Sequence, residues 1–220
     1  MMIFIADPTT SRAGLVPKND IARLMKINLI IKNIIKIQMG GGILPVASYK
    51  GEIYILFSRE RLVYNCTSDS GMWSDFGGAE NIGETQYQTA LREGFEETDG
   101  ILGTKNDIAH LMKNHTICTI YDKTYSIWLI KINYNKQLVS DFNKHFLQVL
   151  EKSPKLVETN NGSFEKDKLA WIKLSQLTMF SLEFRPWYKR FISQIIDALN
   201  THILQSTDGP TDRLVLAHVK

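Results

Sequence analysis

At 220 residues the chain is long enough for one well-filled core, or for one domain with additions. Its 44% hydrophobic and 22% charged residues are those of an ordinary soluble protein, and a formal net charge of +3 permits a polyanionic substrate without announcing a nucleic-acid binder. Cys66 and Cys118 are isolated, which excludes a paired-cysteine zinc site and points to a reducing compartment. Met1 to Asp7 is apolar but short and lacks a basic start or a cleavage-type sequence, so a cytoplasmic protein is expected.

Residues 1–19 carry Pro8, Gly14 and Pro17 and read as an irregular arm. After Asn19 and Asp20, the residues Leu24, Ile27, Ile30, Ile31, Ile34 and Ile35 fit a helical period, with Lys26, Lys32 and Lys36 on other faces. The run is too often charged to span a membrane, so no stable membrane insertion is expected. Such a basic amphipathic helix packs on its own domain, pairs with a second copy in a homodimer, or lies on a membrane surface. Its isoleucines also suit a strand.

Gly40-Gly41-Gly42 should end this element. Ile43 to Tyr49 and Ile53 to Ser58 read as strands joined by a turn at Lys50-Gly51, and residues 65–71 as a polar loop. Thr85 with Gln88 matches a capping box and opens a helix expected over Thr85 to Thr98, with Gly100 suited to its C-terminal cap. Thr104 could cap a short helix bearing Ile108, Leu111 and Met112. His115 to Tyr121 and Tyr125 to Tyr134 read as antiparallel strands, and Phe142, Phe146, Val149 and Leu150 mark another helix. Residues 155–167 are polar, Leu169 to Leu174 is the last strand, and a long helix begins near Pro186. Strands alternating with helices predict an α/β fold, a mixed sheet between helices. Three parts are expected: residues 1–39 as an arm and helix, 40–204 as the main domain, and 205–220 as a tail.

The helix over Thr85 to Thr98 carries the chemistry. At about 100° per residue, Tyr87, Ala90, Leu91, Gly94, Phe95 and Thr98 share one side, while Arg92, Glu93, Glu96 and Glu97 share the other. Glu93, Glu96 and Glu97 stand at i, i+3 and i+4 and repel one another. A hard divalent cation would remove that penalty; a solvated acidic surface helix is the plainer alternative. Gly77-Gly78, just upstream, lets a backbone carbonyl come close to a metal.

The order of these residues resembles the Nudix box, G-x5-E-x7-R-E-U-x-E-E-x-G-U, with U a bulky apolar residue. Here Gly78 is followed after five residues by Glu84, and after seven more by Arg92-Glu93 and Glu96-Glu97. Two positions depart. Gly94 stands at the first U, which should leave a gap and costs about 1 kcal/mol of helix stability against alanine. Thr98-Asp99-Gly100-Ile101 brings the final glycine one residue late, an expected one-residue extension of the helix.

The resemblance covers about residues 40–204, with its specific part at 73–101, and implies the Nudix α/β/α sandwich. It also implies a hydrolase that cleaves a diphosphate linkage in a nucleoside diphosphate derivative with Mg²⁺ or Mn²⁺. Glu93, Glu96, Glu97 and the Gly77 carbonyl would be the metal ligands, with Glu93 an alternative base. Arg92 would orient a neighbouring carboxylate, and Glu84 would support the cluster. A further carboxylate from a distant loop is expected, Glu165 ahead of Asp167 and Glu158. Arg59 and Arg61 would face the substrate phosphates. Decapping of RNA and cleavage of inositol pyrophosphates stay open, since Arg185-Pro186-Trp187-Tyr188-Lys189-Arg190 interleaves cations with aromatics that could stack on RNA. A non-catalytic nucleotide-binding or scaffold domain is the alternative of another class. The five histidines show no ligand-like spacing.

Overall fold

The computed structural model describes residues 4–5, 14–15, 39–63, 69–158 and 164–207. The chain divides into two units, Met1–Gln38 and Met39–Lys220. In the first, β1 (Phe4–Ile5) pairs antiparallel with β2 (Gly14–Leu15). The amphipathic segment from Leu24 to Lys36, Cys66 and residues 208–220 of the expected tail lie outside the described residues, while residues 205–207, expected as the start of that tail, are still helical.

The second unit is built on β3 (Gly40–Tyr49) and β4 (Glu52–Glu60), an antiparallel hairpin. Its turn is the expected Lys50-Gly51, where φ is +52° and +78°; two positive φ values in succession give the turn whose twist suits a hairpin. β5 (Trp73–Ser74) and β6 (Phe76–Ala79) follow, then α1 (Gln86–Glu96) and α2 (Lys105–Asn114). Next come β7 (Thr116–Tyr121), β8 (Tyr125–Lys131), α3 (Lys136–Lys152), α4 (Pro154–Glu158), β9 (Lys166–Lys173) and α5 (Lys189–Thr207). The sheet is seven-stranded in the order β5-β4-β3-β8-β7, with β6 also on β3 and β9 also on β4. Only β3 with β8 is parallel, so the sheet is mixed, as the alternating pattern predicts.

Side chains alternate across this sheet with the period of two that a pleat imposes. Leu44, Val46, Ile55, Phe57, Ile127 and Leu129 belong to one core with Phe191, Ile192 and Ile195 of α5. Ile43, Leu56, Phe76, Trp128, Ile130 and Leu169 belong to a second core with Ala90 of α1, Ile108 and Met112 of α2 and Phe142 of α3. Helices therefore cover both faces, the α/β/α sandwich.

Three expectations need correction. Gly40-Gly41-Gly42 do not terminate an element but open β3, opposite Ala79, Gly78 and Gly77 of β6. A Cβ on Gly41 would run into the Gln86 carbonyl of α1, so glycine here is what lets the helix come down on the sheet. The helix also stops earlier than expected, at Glu96; Asp99 (φ +47°) and Gly100 (φ +75°) then turn left-handed. The extra residue is absorbed by that turn, not by a longer helix. Last, Tyr87 and Phe95 are more than one-third exposed, while Thr89 and Glu97 are buried.

Candidate active site

α1 starts as its sequence dictates. Thr85 Oγ1 accepts from the Gln88 N–H, and the Gln88 side chain accepts from the Thr85 N–H, which satisfies two of the donors that a helix start leaves open. The helix is seated by its small residues. Ala90 is fully buried, and a Cβ on Gly94 would lie 2.6 Å from Ile43 Cδ1 and 2.8 Å from its Cγ1. The gap expected at Gly94 is thus filled by Ile43. Gly78 plays the matching part for the polar face: a Cβ there would lie 2.5 Å from Glu93 Oε1.

On that face Arg92 is the hub. Its Nε donates to Glu84 Oε1 at 2.9 Å and its Nη2 to Glu84 Oε2 at 3.0 Å. Nη1 donates to Glu93 Oε1 at 2.6 Å and Glu96 Oε2 at 3.2 Å, and Nη2 also reaches the Ala79 carbonyl at 2.9 Å. Glu84 in addition accepts from the Asn81 N–H and from Thr89 Oγ1. The Arg92 hydrogen bonds hold the Glu84 carboxyl down at about 2. Glu93 is shifted the other way: burial raises it, Arg92 opposes, and the nearby charges of Glu96 and Glu165 add to the rise.

Glu97 turns inward. Its Oε2 accepts from the Gly77 N–H at 2.7 Å, and its Oε1 lies 3.0 Å from Lys166 Nζ. Burial pushes its carboxyl well up, with Lys166 opposing. Lys166 sits opposite Glu60 in the β4–β9 register and pairs with it as well. Glu60 also accepts from Arg185 Nη1 at 2.9 Å, and Arg185 is bonded to Asp69 at 2.7 and 3.0 Å. Beneath β6, the Tyr125 hydroxyl stands 3.2 Å from each oxygen of the buried Asp75, which burial raises to about 7.

These groups line one open cleft of about 460 Å³: Gly77, Gly78, Arg92, Glu93, Glu96 and Glu97 from the box, with Glu60, Glu165 and Arg185 from elsewhere. A glycine pair on a strand, a glutamate in the loop and an Arg-Glu…Glu-Glu helix converge on one polar cleft at the sheet's edge. The chain has the Nudix fold.

No family model matches the chain, and no curated protein matches it. Among solved structures it is similar to a C. elegans Ap4A hydrolase binary complex, at 16% identity over 76% of this chain and 98% of that one, TM-score 0.43. It is similar to a MutT/Nudix family protein from Listeria innocua, at 12% identity over 76% and 97%, TM-score 0.42. A third is the Nudix domain of Shewanella oneidensis NrtR complexed with ADP ribose, at 11% identity over 76% and 88%, TM-score 0.37.

Of the residues expected at a Nudix site, Gly77, Arg92, Glu93, Glu96, Glu97 and Glu165 come together in the cleft, and Glu84 backs it through Arg92. Arg59 does not reach it. Its Nε and Nη2 hold Asp167 at 2.8 and 3.1 Å, which also engages the other loop acid. Glu158 is exposed at the end of α4. Arg61 lines an adjoining cleft of about 380 Å³ with Glu60, Asp69, Ser70, Glu165 and Arg185, and donates to the Phe164 carbonyl at 3.4 Å. Trp187 and Tyr188 pack on Tyr125 and Phe191 in the core, so the basic–aromatic run forms no stacking surface. Glu60 and Lys166 are additions of the structure. Each ends a strand, and only their cross-strand register reveals them as a pair.

Among the described residues no three acidic, histidine or cysteine side chains already stand as a metal cage. The donors nevertheless fit a hard divalent ion in kind. They are carboxylates: Glu93 and Glu96 share Arg92, which also holds Glu84, and Glu165 lines the same cleft without an ion pair among the described residues. No helix among those residues is long and apolar enough to cross a membrane.

Proposed function

We propose that the cleft hydrolyses a diphosphate linkage in a nucleoside diphosphate derivative, with Mg²⁺ or Mn²⁺ held by Glu93, Glu96, Glu97 and the Gly77 carbonyl. The observation that carries this reading is the Arg92 hub: one guanidinium ties the loop glutamate Glu84 to two helix carboxylates that face the cleft. A bound divalent ion would supply electrophilic stabilisation of the phosphate oxygens and ease ionisation of water. The chain's own residues do the positioning. Arg92 fixes Glu93 and Glu96 on one side of the cleft. Gly78, having no side chain, lets Glu93 lie against β6 at the wall of the cleft, and Gly77 lets the strand close on the Tyr125 hydroxyl and Gly42. Glu165 has no ion pair among the described residues and serves as the base that takes a proton from the attacking water; Glu93 is the alternative. Arg61, at the adjoining cleft, contacts the far phosphate or the group attached to it.

The test is a panel of nucleoside diphosphate derivatives that includes a dinucleoside polyphosphate, ADP-ribose, capped RNA and an inositol pyrophosphate. Product analysis with and without Mn²⁺ or Mg²⁺ should show cleavage between two phosphates, dependent on the metal. No turnover on any member would sink the hydrolase reading and leave a nucleotide-binding domain.

A further inference from the structure

We propose that Lys166 is a resident cation of this cleft, an ammonium group that takes the place of a second divalent ion on its Glu60–Glu97 side. The proposal rests on the metal-hydrolase reading above.

Lysine is almost never fully buried unless it is paired. Lys166 is 1% exposed, and its Nζ lies between Glu60 Oε1 and Glu97 Oε1. Three elements meet there: β4 brings Glu60, β9 brings Lys166, and the end of α1 brings Glu97. The charges alternate outward from this point through Glu60 to Arg185 and Asp69. This half of the cleft is therefore compensated by the chain itself. The other half is not. Glu93 and Glu96 share Arg92, which is already committed to Glu84 by two hydrogen bonds; Arg185, the other arginine of the lining, is held by Glu60 and Asp69; and Glu165 has no ion pair among the described residues. A divalent ion is attracted to the uncompensated half and repelled by the ammonium in the other. Each oxygen of Glu97 accepts one partner and keeps a lone pair, so the residue can border both halves.

A purely structural role for Lys166 makes a different prediction. A buried ion pair adds little net stability, and an apolar residue of similar volume often replaces it without loss. A fold-holding lysine would leave the number of bound ions unchanged when replaced. A resident cation would not.

The experiment counts Mn²⁺ bound to the full chain without substrate, by electron paramagnetic resonance and calorimetry. The wild type should bind one ion. Lys166→Met and Lys166→Gln should each bind two, with a Mn²⁺ dependence of turnover that becomes sigmoidal, and Lys166→Arg should return the count to one. Two ions in the wild type would overturn the proposal even where neither neutral variant folds, and so would a single ion in a folded Lys166→Met or Lys166→Gln protein. A wild type that binds no Mn²⁺ overturns the metal-hydrolase reading itself, and this proposal with it.

Discussion

Arg92 holds both oxygens of Glu84, Nε to Oε1 at 2.9 Å and Nη2 to Oε2 at 3.0 Å. Glu84 precedes the helix and Arg92 lies two turns into it, so this fork joins the loop to the helix face that carries Glu93 and Glu96. A planar fork is what arginine offers and lysine does not. Arg92→Lys should keep the charge and lose the geometry, and activity should fall about 10- to 100-fold, the usual cost of losing a group that orients metal ligands. Steady-state kinetics at saturating Mn²⁺ checks it. The same contact sets a pH dependence. The Glu84 carboxyl titrates at about 2 in the fold against an ordinary 4.5. Its contribution to stability is present above the higher value and is lost as pH falls through the lower. Urea unfolding of wild type and Glu84→Gln should differ at pH 7 and converge near pH 2.

The two consecutive glutamates of the box should separate under substitution. Glu96 is the more exposed, its side chain at 35%, and its described ion pair is to Arg92. Glu96→Gln should abolish metal-dependent turnover and leave the melting temperature close to that of wild type. Glu97 is buried and bonded to Gly77 and Lys166. Glu97→Gln should lose turnover and also stability, because the buried Lys166 would keep only the partly exposed Glu60 as its counter-charge. Calorimetric melts of the two variants decide; equal losses of stability would show that Glu97 is no more integral to the fold than Glu96.

The ordering of charged residues from Gly78 to Glu97 was enough to group the carboxylates that line the cleft beside Arg92, because those positions are local to one strand, one loop and one helix with its cap. Thr85 with Gln88, and Thr104 as a cap, were legible for the same reason, since a helix cap closes within four residues; that Asp107 completes a box with Thr104 is added by the structure. What stayed hidden is long-range. Glu60 meets Lys166 only through the β4–β9 register, 106 residues apart. Arg59 reads as a cation facing the substrate phosphates until Asp167 is brought across to it. Glycine was misread in both directions: Gly40 to Gly42 as a stop and Gly94 as a void. The absence of a side chain does not say what fills the space, and here α1 and Ile43 fill it.

Gly94 gives a prediction with two opposing terms. Alanine in place of glycine gains about 1 kcal/mol of helix propensity. Its Cβ, however, would stand 2.6 Å from Ile43 Cδ1 and 2.8 Å from Cγ1, well inside contact distance. Overpacking of a filled core costs about 1–3 kcal/mol, so Gly94→Ala should be neutral to destabilising by about 2 kcal/mol. Ile43→Val removes the Cδ1 atom and alone should cost about 0.5–1.5 kcal/mol. The double variant should lose less than the sum of the two, and a double-mutant cycle by denaturant unfolding measures the coupling. Strict additivity would mean that Ile43 does not fill the Gly94 site.

Asp75 controls stability in the opposite sense to Glu84. It is fully buried below the glycines of β6, and burial raises its carboxyl from 3.8 to about 7, against the opposing pull of Lys166 and the Tyr125 hydroxyl. Between those two values the folded protein binds more protons than the unfolded chain. Stability conferred by the protonated carboxyl is full below about 3.8 and is lost as pH rises toward about 7. Glu84 works against this trend only below its ordinary 4.5, so the window from pH 5 to 7 isolates Asp75 among these two. Asp75→Asn keeps the shape and an acceptor for Tyr125 while removing the titration. Urea midpoints of the wild type should fall between pH 5 and 7, and those of Asp75→Asn should fall less. Parallel profiles would mean that Asp75 is ionised throughout and that the folded protein holds its charge at no cost in stability.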